Sequence, residues 1–347
     1  MMIMSRPSIT DLEQHYVEKA MQNGDIGVGP FIGQFETLWA QKNGMAFGVS
    51  CNSGTNAIYL ALKALGIGPG DEVIVPEYTM IATAWAVSYT GATPVFVDCG
   101  DDLLMRKTGL AVAITKNTKA IITVPVYGRK SFSADNIIVS SAMSRFGKIP
   151  IIEDMAEAHG IKPQGDIACY SFYGNKILTT GEGGMCITNN KEWADEMRSL
   201  SNMYMDEKRT YLHPKQGHNF RMTNLQAAVG LAQVMRTDEI LEKREKIQDW
   251  YDQNLPEHVK MPRRDVLWFE DIQTDYQEEL KAYLDANGIP SRYGFKPMSM
   301  QQQYLAPYEH LNAYKWSKRI LYLPVWTSME ESDVKTICKT IQSFEKK

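Results

Sequence analysis

One carboxylate and one amine stand where two buried strands are predicted to end. Asp154 follows the apolar run IPII, and Lys176 follows the strand-like run IACYSFY and precedes a glycine-rich turn, TTGEGG. Ligands of open α/β sheets bind beyond the carboxyl ends of the strands. The two residues are 22 positions apart, a spacing that suits two strands ending at the same edge of one sheet.

A lysine held near a buried aspartate is the pair that a Schiff-base cofactor requires. Pyridoxal phosphate (PLP) needs an amine for its aldehyde and an anionic partner for its pyridinium nitrogen. The same two residue types also occur as a surface lysine after a strand and as an aspartate that caps a helix. The two residues alone fit both interpretations.

A short turn, Ser53-Gly54-Thr55, separates the apolar run MAFGVS from a helical pattern. Backbone N–H groups at the start of a helix, together with small hydroxyls, form a site for an anion such as phosphate. The same three residues also serve as an ordinary helix cap. This turn alone therefore does not establish a phosphate site.

Length and composition restrict the class of protein. A chain of 347 residues is long enough for one large and one smaller domain. A net charge of −4 gives no indication of a basic surface that would bind nucleic acid. No apolar stretch approaches the length needed to span a membrane. The N-terminus lacks the apolar core of a signal peptide. Five scattered cysteines without a CxxC pair indicate reduced thiols in the cytoplasm, with no disulfide framework and no metal site.

Apolar runs alternate with helical patterns up to about residue 200, which predicts an α/β fold with a mostly parallel sheet. Predicted helices include 8–23, one near 133–147 and one long pattern over 220–255. A strand near 265–272 and helices near 275–287 and 330–345 follow. We expect a large domain, residues 1–235, and a small C-terminal α+β domain, residues 236–347.

An ordered set of motifs runs through the chain. It comprises SGT, ALGIGPGDEVIVP, GATPVFVD, VYG, IEDMAEAHG, SFYGNK, TTGEGGM and NFRMTNLQAAVGLAQ. The set resembles the DegT/DnrJ/EryC1/StrS sugar aminotransferases, which have the type I (aspartate aminotransferase-like) PLP-dependent fold. Within that family, GNKILTTGEGGM and RMTNLQAA look most like the GDP-perosamine synthases. The resemblance implies transfer of an amino group from L-glutamate to C4 of a nucleotide-linked 4-keto-6-deoxy sugar, most simply GDP-4-keto-6-deoxymannose.

The resemblance also implies a role for each matching residue. Lys176 would form the Schiff base and carry the proton, and Asp154 would pair with the pyridinium nitrogen. Glu157, where many relatives have Gln, would contact the ring hydroxyl of the cofactor. The phosphate would be held by Gly54, Thr55 and Ser171, and by Asn219 from the neighbouring subunit of a homodimer with shared active sites.

Two positions depart from the family pattern. Met80 stands where the family usually has an aromatic residue stacked on the cofactor ring, and a thioether covers a ring less selectively. Ser299 stands where many relatives have His, which affects the expected contacts with the sugar nucleotide. We predict that Met80 nevertheless binds the cofactor.

Four alternative functions make different demands on these residues. A dTDP- or UDP-linked keto sugar would fit the same family. A sugar dehydratase of the same fold would have histidine in place of Lys176, and a non-catalytic binding protein would not need Lys176 and Asp154. A nicotinamide dehydrogenase requires G-x-G-x-x-G after the first strand, where this chain has CNSGTN.

Overall fold

The computed structural model describes residues 2–131, 147–206, 210–309 and 311–344. Its strands are β1 Phe47–Cys51, β2 Glu72–Pro76, β3 Thr93–Val97, β4 Thr118–Thr123, β5 Ile151–Asp154, β6 Ile167–Ser171, β7 Gly184–Thr188, β8 Glu270–Gln273, β9 Arg292–Tyr293 and β10 Ile320–Leu323. The first seven form one sheet in the order β1-β7-β6-β5-β4-β2-β3. In this sheet β7 runs antiparallel to both of its neighbours, and the other pairs are parallel. The mostly parallel α/β sheet is as predicted.

The described helices surround this sheet and continue beyond it. They are α1 Asp11–Gln22, α2 Pro30–Lys42, α3 Gly54–Ala64, α4 Ile81–Tyr89, α5 Lys107–Ala113, α6 Lys191–Ser201, α7 Asn224–Met235, α8 Thr237–Asn254, α9 Gln277–Ala286, α10 Asn312–Ser317 and α11 Glu331–Ser343. Helix α1 begins three residues later than the predicted 8–23, because Thr10 caps it and forms a reciprocal capping box with Glu13. The predicted helix near 133–147 falls almost entirely outside the described residues.

Strand β6 shows why the sheet is covered on both faces. Ile167 and Cys169 belong to one buried cluster, packed under α3, whereas Ala168 and Tyr170 belong to the other. Successive side chains of a strand point to opposite faces, so a strand that is apolar throughout must have both faces covered. All five residues of β6 are buried. Helices therefore cover the faces of the sheet, and the ends of its strands remain accessible to a ligand.

The long helix predicted over 220–255 is in fact two helices. Helix α7 ends at Met235 and α8 begins at Thr237, with non-helical backbone at Arg236. The Arg236 side chain is held there by Glu13 and Glu239. The predicted domain boundary near residue 235 coincides with this break, and it remains a prediction.

The C-terminal part contains a second sheet, of three antiparallel strands in the order β8-β10-β9. The strand predicted over 265–272 begins later, at Glu270, because 263–269 is irregular and packs with its aromatic side chains inward. Strands β9 and β10 and helix α10 were not predicted. The helices near 275–287 and 330–345 are present as α9 and α11.

A buried ionic cluster joins the two sheets. Arg129, which follows a turn after β4, donates to Asp271 of β8, and Arg264 donates to both Asp271 and Glu270. All four side chains are buried. The two arginines hold the pKa of Asp271 below its usual value despite burial.

None of the helices in the described part of the chain has the length and apolarity to span a membrane.

Candidate active site

A cavity of about 410 Å³ lies at the carboxyl ends of the strands of the large sheet. Its lining includes residues two or more positions after the ends of β1 and β2, and the last residues of β5 and β6. The seven predicted site residues found in this lining are Gly54, Thr55, Met80, Asp154, Glu157, Ser171 and Lys176. The sheet therefore brings together side chains from four separate segments, as the strand-end argument predicted.

The first side of the cavity is the N-terminus of α3. Ser53 caps this 11-residue helix by accepting a hydrogen bond from Asn56 N. Gly54 allows the helix start to approach β6, because a Cβ at this position would lie 2.6 Å from the Cβ of Ser171. The free N–H groups of the helix start and the Ser171 hydroxyl thus face one region, which has the chemistry of an anion site.

Asp154 lies at the end of β5 with both carboxylate oxygens engaged. The Thr83 hydroxyl donates to Oδ2 over 2.7 Å, and Ala156 N donates to Oδ1 over 3.2 Å. Burial raises the pKa of Asp154, and these hydrogen bonds and the charge of Lys176 only partly oppose the rise. The carboxylate is therefore held in place and lacks full charge compensation, so it can accept a cationic partner.

Lys176 follows β6 in the turn that leads to β7, and its side chain is half-buried where it lines the cavity. Its Nζ lies 4.2 Å from the centre of the Trp268 ring, in a cation–π geometry. Burial lowers the pKa of Lys176, while Glu157 and Asp154 oppose this effect. A lysine with a lowered pKa has more of the neutral amine, which is the nucleophilic form.

Glu157 is held by the backbone of Tyr127. Tyr127 N donates to Oε2 over 2.8 Å, and Tyr127 adopts the left-handed conformation with φ of 53°. Such backbone is uncommon for a large side chain and is concentrated at functional sites. Burial raises the pKa of Glu157 to about 7, opposed by Lys176. Near neutral pH this carboxyl group can therefore either donate or accept a hydrogen bond.

The opposite side of the cavity was missed by the sequence analysis. It consists of Trp268, Arg292, Phe295 and Tyr322, which come from three segments of the C-terminal part. We call these four residues the C-terminal wall, and Gly54, Asp154, Ser171 and Lys176 the sheet wall. A signal was present in the run VLWFED, which is too rich in large aromatic residues for a surface loop.

The C-terminal wall is fixed by hydrogen bonds and ring contacts. Trp268 Nε1 donates to Asn175 O over 2.9 Å, next to Lys176 in the chain. The buried Arg244 donates to the carbonyl oxygens of Leu267 and Trp268. These contacts place the indole against the lysine amine.

Three further residues complete the account of the predicted site. Asn219 does not line the cavity; within the described chain it forms a bridge with Asn202. Ser299 is buried and its N–H donates over 2.7 Å to the buried carboxylate of Glu77. His159 is packed against rings and accepts a hydrogen bond from Leu178 N, and burial lowers its pKa to about 3.

The sequence profile of the DegT/DnrJ/EryC1/StrS aminotransferase family matches residues 7–342. The chain therefore belongs to this family, and it is an aminotransferase. The predictions of the family, the type I fold and the enzyme class are confirmed. The roles assigned to individual site residues remain predictions.

Relatives with an assigned activity act on different nucleotide sugars. The chain is 42% identical to the GDP-perosamine synthase of Caulobacter vibrioides, with 89% of this chain and 87% of the relative covered. It is 37% identical to that of Escherichia coli O157:H7, with 98% and 97% covered. Identity to the UDP-N-acetyl-3-dehydro-alpha-D-glucosamine 3-aminotransferase of Acidithiobacillus ferrooxidans is 36%, with 87% and 85% covered.

A solved structure extends the similarity to a cofactor-bound form. Spr1654 of Streptococcus pneumoniae, solved in a PLP form, superposes with a TM-score of 0.90 at 26% identity. The superposition covers 99% of this chain and 98% of the other. A cavity of this fold therefore accommodates PLP in at least one similar protein.

Proposed function

We propose that this protein is a PLP-dependent aminotransferase that converts GDP-4-keto-6-deoxy-D-mannose to GDP-perosamine, with L-glutamate as the amino donor. The observation that carries the proposal is the cavity where Lys176, Asp154 and the start of α3 meet. A nucleophilic amine, a buried anion and an anion site are the three elements that PLP requires.

The residues present fit the cofactor. Gly54, Thr55 and Ser171 would hold its phosphate, and Asp154 would pair with its pyridinium nitrogen. The raised pKa of Asp154 supports this pairing, because a cation at that point would compensate the buried charge. Glu157 would share a proton with the ring hydroxyl, and Met80, half-exposed at the cavity, would lie on the ring face.

PLP, when bound, supplies an electron sink for the carbon from which a proton is removed. Lys176 would provide the amine that attaches the cofactor, and its Nζ would move the proton during the amino transfer. Burial lowers the pKa of Lys176, which makes more of the neutral base available. Asp154 would stay oriented through Thr83 and Ala156.

Support for a GDP-linked substrate comes from the relatives. The GDP-perosamine synthase of C. vibrioides is more similar to this chain than the UDP-sugar enzyme of A. ferrooxidans is. The difference between 42% and 36% identity is small, so a UDP- or dTDP-linked keto sugar is the alternative substrate. The five free cysteines suit a reducing compartment, and we place the reaction in the cytoplasm.

The direct test is incubation of the holoenzyme with L-glutamate and a panel of GDP-, UDP- and dTDP-linked keto sugars, with mass detection of the products. We expect a new amino sugar from GDP-4-keto-6-deoxy-D-mannose and at least 10-fold slower conversion of the others, since a pocket that hydrogen-bonds one base rejects another. Preference for a UDP or dTDP sugar would replace the proposed substrate. Failure of all of them would remove the proposed function.

We further propose a homodimer in which Asn219 reaches the phosphate of the neighbouring subunit's cofactor. Exposed apolar side chains at Val28 and Leu212, 69% and 74% exposed, are consistent with a surface covered by a second copy. Subunit mixing tests the shared site. Lys176→Ala and Asn219→Asp dimers are both expected to be inactive, the second because a carboxylate repels the phosphate.

In a mixed dimer, the shared-site arrangement places both defects in one site and leaves the other intact. Each heterodimer is then expected to regain about half the activity of a wild-type dimer. Mixing each variant with itself is the control. If heterodimers form, as seen by native mass spectrometry, and no activity returns, Asn219 acts within its own subunit.

A further inference from the structure

Arg292 is a cation at the cavity with no carboxylate partner in the described part of the chain. It belongs to β9 and lies opposite Tyr322 of β10 in the sheet register. It lines the same cavity as Lys176, and its charge partly opposes the effect of burial, which raises the pKa of Tyr322. By contrast, Arg264 and Arg319, on the same side of the protein, are each paired with carboxylates.

The charges around the cavity make this cation significant. Among the described lining residues the cations are Lys176 and Arg292, and the anions are Asp154, Glu157 and Glu182. Glutamate, as a dicarboxylate, would meet repulsion from these anions. Once Lys176 is engaged with the cofactor, Arg292 is the remaining cation in that lining.

We propose that Arg292 is the subsite for a carboxylate of the amino donor. A guanidinium presents two parallel N–H donors that match a carboxylate, and the pairing of β9 with β10 places Arg292 opposite Tyr322 at the cavity. The proposal rests on the proposed aminotransferase function and adds the recognition of its first substrate.

Distance along the substrates favours a carboxylate over a diphosphate. In an amino acid, the carboxylate is bonded to the carbon that carries the amine. In a nucleotide sugar, the diphosphate lies across the whole hexose ring from a keto group at C4. A cavity of about 410 Å³ that contains both Nζ of Lys176 and Arg292 has room for the cofactor and a small molecule. The diphosphate is therefore expected outside it.

The test uses glutarate, which has both carboxylates of glutamate and no amine, so that binding is measured without a reaction. Wild-type holoenzyme is titrated with glutarate, and binding is followed by the absorbance of the bound cofactor. Arg292→Gln is expected to weaken glutarate binding on the order of 30- to 100-fold, because a charge-assisted, bidentate contact is lost. Arg292→Lys keeps the charge without the fork and is expected to weaken it about 10-fold.

Arg319→Gln is the matched control. It removes the same charge immediately before β10, but Arg319 is paired with Asp275 and does not line this cavity. Its glutarate affinity is expected to stay within about 3-fold of wild type, since a surface pair contributes little. Melting temperatures and the cofactor spectrum establish that each variant is folded and loaded.

The two half-reactions then separate the possible anions. Arg292→Gln is expected to raise the apparent Kd for glutamate and to leave that for the amino-sugar product of the reverse half-reaction nearly unchanged. The opposite pattern would show that Arg292 binds the diphosphate, and the proposal would be wrong. Unchanged glutarate affinity in Arg292→Gln, or no glutarate binding by wild type, would also overturn it. Glutarate binding does not involve a sugar, so it stays readable if every nucleotide sugar fails as a substrate.

Discussion

The two walls of the cavity are built from different chemistry. The sheet wall carries a carboxylate, an amine and a hydroxyl at the end of one continuous sheet, and its carboxylate, Asp154, is fixed by hydrogen bonds from Thr83 and Ala156. The C-terminal wall consists of three aromatic side chains and one arginine, carried by separate segments around a three-stranded sheet. The first can hold a cofactor and move protons, whereas the second offers flat apolar surfaces and one cation, which suit recognition of a substrate.

Substrate specificity can therefore change through the C-terminal wall without loss of the chemistry of the sheet wall. A substitution in the sheet wall removes a group that the reaction needs. A substitution in the C-terminal wall alters what the cavity accepts, with the nucleophile and its anion still in place. We expect the effects of mutations to fall into two corresponding ranges.

The largest effect is expected for Lys176→Ala. Loss of the only amine of the sheet wall removes both the attachment of the cofactor and the proton carrier, so turnover should fall by about 10⁴-fold or more. The measurement is amino-sugar formation under saturating glutamate. Borohydride reduction of wild-type holoenzyme should mark the peptide that contains Lys176, and a mark on any other lysine would contradict the assignment.

Asp154→Asn is expected to lower turnover on the order of 10²- to 10³-fold, because a fixed charge that stabilises the developing charge is lost. The fold should persist, since the two side chains are nearly the same size. The raised pKa of Asp154 shows that its charge is unfavourable in the folded protein, so the melting temperature of the cofactor-free variant should not fall. Near-normal turnover would show that another group holds the pyridinium nitrogen.

Glu157→Gln should remove a pH dependence of cofactor binding. The wild-type carboxyl, with its pKa raised to about 7, is protonated below that pH and can donate to the ring hydroxyl. Above it two anions would meet, so wild-type affinity is expected to fall about 10-fold between pH 6 and pH 8. Glutamine does not titrate and should give a flat profile. Parallel profiles for both proteins would mean that a different group titrates.

The smallest effect is expected for Trp268→Leu in the C-terminal wall. Removing the ring beside Nζ takes away a contact that favours the charged amine, so more of Lys176 should be neutral. In the cofactor-free protein, labelling of Lys176 by an amine reagent at pH 8 should be about 2- to 5-fold faster, corrected for access by comparison with Trp268→Phe. Slower labelling in both variants would indicate that the ring acts through packing alone.

The two walls also differ in how far the sequence predicts them. Asp154 and Lys176 follow apolar runs whose ends must meet at one sheet edge, so their proximity follows from local patterns and the rules of parallel sheets. Arg292 and Tyr322 are brought together by pairing of β9, two residues long, with β10. A two-residue strand has no readable periodicity, and its partner is distant in the chain.

Strand β7 and the break between α7 and α8 were not predicted either. Strand β7, GMCIT, follows a glycine-rich turn and reads as the end of that turn, although its five residues are buried in the sheet. The break at Arg236 has no proline or glycine to mark it; it depends on Glu13, more than 220 residues away in sequence. Tertiary contacts of this kind override a continuous helical pattern.

The buried arginines and carboxylates between the two sheets limit how far the cavity can open and close. Arg129 belongs to the segment after β4, and Asp271 belongs to β8 beside the C-terminal wall. Rotating the small sheet away would strip a partner from a buried charge, at a cost of roughly 3–5 kcal/mol. We therefore expect the width of the cavity to stay nearly constant when substrates bind, because it is fixed by the ionic cluster that forms when the chain folds.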